Sequence, residues 1–382
     1  MFTQPNKLEF SRYLRHESVT IALLSMGAVA FFLFVTGISS AFFAQQEELA
    51  KRWSMRGVSD LNAGHFAEAI PEFRAALLYT RDDFNFRLGL AQALMGLNRT
   101  DEAYNYLVNL RTQHPENGLV NLELARIAVA RNDTQHAVRF YHNAIYASWP
   151  GDEEKQERGA RFELIGYLLK INAKTQAESE LISLAGLVGQ NAQQQARLGN
   201  FFLSIPDNEH ALAAFRRSIE ADAHNTSALA GAGAAAFNLQ QYPLAARYLG
   251  RAVAANPGDA VSSENLRIAK FVVQMDPFQP KIRAAEKYRK VVADFSAGGT
   301  RLKSCPVAGT YAAPDDPTLD LSTEWNKLQA QVTVAGLRSN PDLVDTAMNL
   351  VFTIERQAND WCGKPAPADA ALLLVARLRE GS

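Results

Sequence analysis

Between Trp53 and Pro257 the small and large apolar positions recur in a fixed order. Five alanines, Ala69, Ala103, Ala137, Ala211 and Ala245, keep a spacing of 34 residues, with six residues inserted between Ala137 and Ala211 beyond two such steps. Twelve residues before each stands a small residue: Gly57, Ala91, Ala125, Gly199 or Gly233. Four residues after each comes a large apolar one: Phe73, Leu107, Tyr141, Phe215 or Leu249. Seven after comes Ala76, Leu110, Ala144, Ser218 or Ala252, and the chain then breaks at Pro115, Trp149-Pro150 and Pro257. The small residues let two helices approach closely, and the large one fills the gap to the next pair. Proline stops the second helix because it lacks an amide donor and clashes with the preceding turn. A single pair cannot bury its own apolar face, so neighbours must stack. The pattern predicts antiparallel helix pairs that turn at Asn62-Ala63-Gly64, Leu97-Asn98-Arg99, Arg131-Asn132-Asp133 and Gln240-Tyr242, with no sheet.

A different pattern precedes the pairs. Ser18 to Gln46 carries no charged residue, and its apolar positions show no polar face. As a helix it reaches roughly 40 Å, enough to span a ~30 Å hydrocarbon core with some tilt. Phe10 and Tyr13 stand where interfacial anchors belong. The expectation is a retained transmembrane helix over 18–46. A signal peptide cleaved near Ser39 and Ala41 is the rival, against which stand the length of the run and the 17 residues before it. Three basic residues precede the span and Lys51 and Arg52 follow it. That asymmetry favours residues 1–17 as a cytoplasmic tail and the large domain outside, on a single span.

The 34-residue pattern resembles the tetratricopeptide repeat (TPR). The resemblance implies an all-α TPR solenoid of about six helix pairs over 50–257, acting as a non-catalytic scaffold for other proteins or peptides. With the span before it, the layout is similar to that of bacterial single-pass TPR proteins of the inner membrane, which implies a periplasmic domain and a role in translocation or envelope assembly. In such repeats the first helices line a groove. The phase puts Leu88, Gln92 and Met95, then Leu122, Arg126 and Val129, then Asn200, Leu203 and Phe237 on that face. Some members of the family clamp a terminal carboxylate there with several lysines and asparagines. Only Arg126 and Asn200 occupy comparable places here, so an apolar groove with a few polar points is expected.

The stretch Gly151 to Gln156 shifts the phase, and a divergent repeat over about 151–190 follows, with Gly166 in place of Ile165 as its small residue. Two capping helices are expected over 258–299. Asp259 starts the first, and the second runs from Pro280 to about Ser296-Ala297-Gly298-Gly299. A connector over 300–317 holds Pro306, Pro314 and Pro317, and three amphipathic helices form a small domain over 318–382.

Lys+Arg 39 against Asp+Glu 40 leaves a net charge of -1, which points to no nucleic-acid partner. Gly231 to Ala236 matches a dinucleotide fingerprint in letters, but it lies within a repeat helix and no strand precedes it. The 7 histidines show no metal spacing, and no nucleophile elbow or phosphate loop occurs. No cofactor, metal or catalytic residue is therefore expected. A site in the C-terminal domain and a secreted binder released by signal cleavage remain the alternatives. Both of the 2 cysteines, Cys305 and Cys362, flank the C-terminal domain, and outside the cytoplasm they are expected to bond.

Overall fold

The computed structural model describes residues 7–149, 151–305, 312–313, 316–363 and 365–380; of 7–19, 312–313 and 316–319 only the backbone is described. Pro150, Pro306, Pro314 and the side chains of Phe10, Tyr13 and Pro317 lie outside that description. The chain forms two compact units, Met1–Tyr167 and Leu168–Ser382.

In the first unit a single helix, α1, runs from Lys7 to Ala63. It carries the apolar stretch and the first repeat helix without a break. At 1.5 Å per residue its length is about 85 Å. From Thr20 on, its apolar side chains stand exposed, and Ala50 is the first to be buried. Helices α2 (Phe66–Tyr79), α3 (Phe84–Gly96), α4 (Thr100–Gln113), α5 (Gly118–Ala130) and α6 (Thr134–Ile145) then alternate as antiparallel pairs. Ala69, Ala103 and Ala137 are fully enclosed, and Phe73, Leu107 and Tyr141 are buried beside them. Phe73 explains the spacing of two glycines. Its ring would lie 3.1 Å from a Cβ added at Gly57 in its own pair and 2.4 Å from one at Gly89 in the next.

The six inserted residues lengthen both a helix and the link before it, which has seven residues between Ile145 and Glu153 where the links before α3 and α5 have four. α7 (Glu153–Lys170) has 18 residues where α3 and α5 have 13. Before it, the indole of Trp149 donates to the Ala144 carbonyl at 2.9 Å and covers Gly118. The phase slip expected at Gly166 does not occur. Ile165 is fully buried on the repeat position and Gly166 is partly exposed, so the register holds and a large residue occupies the small place.

The second unit contains α8 (Lys174–Leu187), α9 (Ala192–Ser204), α10 (Asn208–Ala221), α11 (Thr226–Asn238), α12 (Tyr242–Ala255), α13 (Ala260–Met275) and α14 (Ala284–Ser304). A two-stranded antiparallel ribbon follows, β1 (Ala312–Ala313) with β2 (Asp316–Asp320), in the connector where no strand was expected. The chain then forms α15 (Leu321–Gln329), α16 (Val334–Ser339), α17 (Leu343–Cys362) and α18 (Pro367–Glu380). Ala211 and Ala245 are enclosed as in the first unit, and Phe215 fills the space left by Gly199 and Gly231.

Two periodic devices set the helix ends. Asp83, Asn117, Asn191, Asn225 and Asp259 each cap the first helix of a pair by accepting the amide three residues on. Between the helices of each pair one residue takes positive φ: Gly64, Asn98, Asn132, Asn172, Pro206 and Gln240. Glycine and asparagine suit that conformation.

The C-terminal region departs from expectation at four points. α14 begins at Ala284, not Pro280, and continues through Gly298-Gly299 to Ser304. Those glycines do not end the helix. Gly299 admits Trp325, whose Cζ2 would lie 2.2 Å from a Cβ there and whose ring stacks on Phe295 at 5.4 Å, while Gly298 faces Val351 and Ile354. The expected three helices are four, with α16 added. The boundary drawn over 300–317 does not isolate them, since α17 packs on α14 and α18 packs on α13. A Cys305–Cys362 disulfide, with Cα atoms 6.0 Å apart, joins the ends of α14 and α17.

Replacing Ala103 or Ala137 by leucine is expected to destabilise the first unit by about 1–3 kcal/mol, because both are fully enclosed and a larger side chain overpacks the pair. The check is the melting temperature, which should fall; an unchanged melt would show that the helices do not meet closely there.

Candidate interaction surface

The nine groove positions fall in both units. In the first, Leu88, Gln92 and Met95 on α3 and Leu122, Arg126 and Val129 on α5 repeat a spacing of four and three, which puts each set on one helix face. Leu88 and Leu122 are each only 5% exposed. Met95, Val129 and Gln92 are half-buried. In the second unit Asn200 on α9 is exposed, while Leu203 on α9 and Phe237 on α11 are half-buried. The Phe237 ring meets Tyr242 edge-on at 5.3 Å.

Arg126 is not the free cation that the sequence suggests. Its guanidinium grips Glu163 of α7 with two bonds, Nε to Oε2 at 3.0 Å and Nη2 to Oε1 at 2.6 Å. Nη1 donates to Glu123 Oε1 at 3.0 Å, and Gln92 Nε2 donates to that same oxygen at 2.8 Å. Glu123 is 4% exposed, so its charge depends on these two donors. The bond to Glu163 is the largest influence holding the guanidinium protonated. Tyr141 is pushed up to about 12, first by burial and then by the charge of Glu163. Two carboxylates face one guanidinium, so the cluster is acidic and has no cation to spare for a peptide carboxylate.

Sequence reasoning missed both glutamates. They occupy the repeat place of Gly89 and Gly231, two residues before the close-packing position. Where the preceding large residue is Phe73 or Phe215, the place must be glycine. Where it is Leu107 or Tyr141, a side chain fits, and here it is acidic. That exchange of size is visible in the sequence once the repeats are aligned.

The other candidates have structural roles. Gly231 to Ala236 lies inside α11, where Gly231 receives Phe215 and Gly233 receives Leu249. His136 and His210 each face their own capping aspartate, Asp133 and Asp207, at 2.7 Å. Among the described residues no three His, Cys, Asp or Glu side chains gather as metal ligands.

A buried acid on α17 is held well above the usual carboxylate range. Glu355 on α17 is fully enclosed, and neither of its oxygens has a hydrogen-bond partner among the described residues. Arg301 Nε lies 3.8 Å from one oxygen and 3.6 Å from Asp369. Burial, helped by the Asp369 charge and opposed by Arg301, pushes Glu355 up to about 8.

Residues 61–110, from the end of α1 to α4, match the family model of the tetratricopeptide repeat. Three solved structures are similar in fold. PilF of Pseudomonas aeruginosa is 14% identical, with a TM-score of 0.44, over 58% of this chain and 97% of that one. The C-terminal part of a TPR repeat-containing protein of Cytophaga hutchinsonii is 13% identical, with a TM-score of 0.47, over 63% and 94%. YrrB, described as a TPR protein with an unusual peptide-binding site, is 16% identical, with a TM-score of 0.41, over 50% and 96%. No curated protein sequence matches the chain significantly.

Arg126→Ala is expected to destabilise the first unit by about 1–3 kcal/mol, because it strips Glu123 of a donor. Adding Glu123→Gln should recover part of that loss in a thermal melt. An unchanged melting temperature for Arg126→Ala would return this residue to the role of a free binding group.

Glu355 sets a pH dependence. Its folded value lies above its ordinary 4.5, so the stability it contributes is complete below that pH and is lost as the pH rises to about 8. Melting temperature is expected to fall from pH 5 to pH 8.5, and less steeply in Glu355→Gln. Parallel curves for the two proteins would place the buried charge elsewhere.

Proposed function

We propose that this chain, a tetratricopeptide-repeat protein, is a single-pass membrane scaffold that holds protein partners through its repeat surface. The observation that carries the reading is α1. Its residues from Thr20 form a helix long and apolar enough to cross a membrane, with none of the apolar window buried. The same helix becomes the first repeat helix, with Ala50 enclosed only four residues after Gln46. No loop intervenes, so the first pair is held within about 6 Å of the end of the span, measured along the helix.

The large domain is assigned to the non-cytoplasmic side, with 18–46 as the span. Three basic residues before the span and two after support that orientation. So does a disulfide between Cys305 and Cys362, a bond that persists in oxidising compartments. The role is assembly or translocation in the envelope rather than catalysis. In the first unit the partner would be a polypeptide segment with apolar side chains. Leu88 and Leu122 form the floor for it and Met95 and Val129 the open edges, while the engaged Arg126 disfavours recognition of a terminal carboxylate.

Alkaline carbonate extraction tests the anchor. The full chain should stay with the membrane, and a chain lacking residues 1–45 should become soluble. Recovery of the mature protein with its amino terminus just after Ala41 would establish a secreted form instead. Photo-crosslinkers at Met95 and Val129 should capture a protein partner, and one at exposed Leu78 should not. Equal labelling from all three would remove the face from the account. Alkylation without reductant reports the orientation: two reactive thiols would place the domain in the cytoplasm.

A further inference from the structure

A cavity of about 380 Å³ opens in the second unit, between the end of α13, α14 and the start of α18. Phe271, Met275, Ala293 and Ala368 form its apolar walls, and Asp294 lines it from α14. Asp294 is 2% exposed, and its Oδ2 has no hydrogen-bond partner among the described residues. An enclosed carboxyl without a donor is costly, and native structures keep few of them. Lys290 acts on it only through its charge, since Nζ donates to the Val273 and Asp276 carbonyls at 2.7 and 3.3 Å.

We propose that this cavity binds a primary alkylammonium group, its charge on Asp294 and its stem against Phe271 and Met275. The same chemistry is offered by a free aliphatic amine or by a lysine side chain of another polypeptide. Three features favour a cation over other ligands. The vacant partner is an acid. The cavity sits at the C-terminal end of α13, where helix carbonyls favour positive charge. Phe271 and Met275 line the cavity and suit the alkyl stem of such a cation. The site is separate from the repeat face and does not depend on the reading of that face.

Charged groups around Asp294 set the pH response. Glu286, Arg289 and Lys290 come from α14, Asp276 from the turn before it, and α18 contributes Ala368, its Asp369 lying near Arg301 at 3.6 Å. Burial pushes Asp294 up to about 8, against the pull of Lys290 and with a further push from Asp276. An entering ammonium therefore displaces a proton from the carboxyl, and no covalent bond to the ligand forms.

Calorimetric titration of the detergent-solubilised full chain with n-butylammonium tests this. Affinity should rise roughly 20-fold from pH 6.5 to pH 8.5, with proton release. n-Butanol should not compete. Asp294→Asn should weaken binding at least about tenfold at pH 8.5 and remove the pH dependence. Ala368→Leu narrows the cavity from another helix without touching the acid and should also weaken binding, which keeps the test valid should Asp294→Asn fail to fold. Acetyl-Gly-Lys-Gly-amide forms a second arm: tighter binding than n-butylammonium identifies a lysine of a partner chain, and equal or weaker binding a free amine. No heat of binding with either probe at pH 8.5 would overturn the proposal, as would binding that ignores both pH and Ala368→Leu.

Discussion

How closely two helices can approach decides almost everything in the repeats. Ala69, Ala103, Ala137, Ala211 and Ala245 are enclosed because a larger side chain would hold the helices of a pair apart. The space between pairs is governed by one large residue in each. Phe73 and Phe215 reach into the following pair, and each needs glycine there, at Gly89 and Gly231. Smaller or differently placed neighbours at Leu107 and Tyr141 leave room for a side chain, and Glu123 and Glu163 take it. The acidic cluster around Arg126 thus follows from packing: the charges occupy positions that a phenylalanine would have denied them.

The same constraint shapes the ends. Trp325 lies against α14 only because Gly299 has no side chain to oppose it. Cys305 and Cys362 then tie the end of α14 to the end of α17, across the ribbon and the two helices between them. By a chain-entropy estimate a loop of that size stabilises the fold by about 4 kcal/mol. At the other end α1 needs no tie, because the apolar stretch and the first repeat helix are one element. Helix rigidity would then transmit the position of the proposed membrane span to the repeats, where a flexible linker would not.

The helix pairs were legible in the sequence because their packing uses residues of distinctive size at a fixed period. Their turns were legible as well, through Gly64, Asn98 and Asn132. What escaped was of two kinds. Arg126 looked free because a sequence does not show that Glu163, 37 residues on, meets it from the next repeat. Gly298-Gly299 looked like a helix end because glycine both ends helices and admits large side chains, and only the partner, Trp325, tells the two apart. The ribbon after α14 and the short α16 carry no periodic signal long enough to register. Asp294 was hidden for the same reason as Glu123: an acid on an amphipathic helix reads as solvated until its surroundings are known.

The continuity of α1 is the claim on which the proposed anchoring rests. Amide hydrogen exchange of the full chain in lipid nanodiscs measures it directly across Ala44 to Arg56. One helix from the span into the first repeat requires slow exchange through this whole stretch, with protection continuous past Gln46 and Ala50. Fast exchange between Gln45 and Lys51, with protected segments on either side, would mean a flexible joint. The repeats would then hang from the membrane rather than stand on it, and the account would fail at its first step.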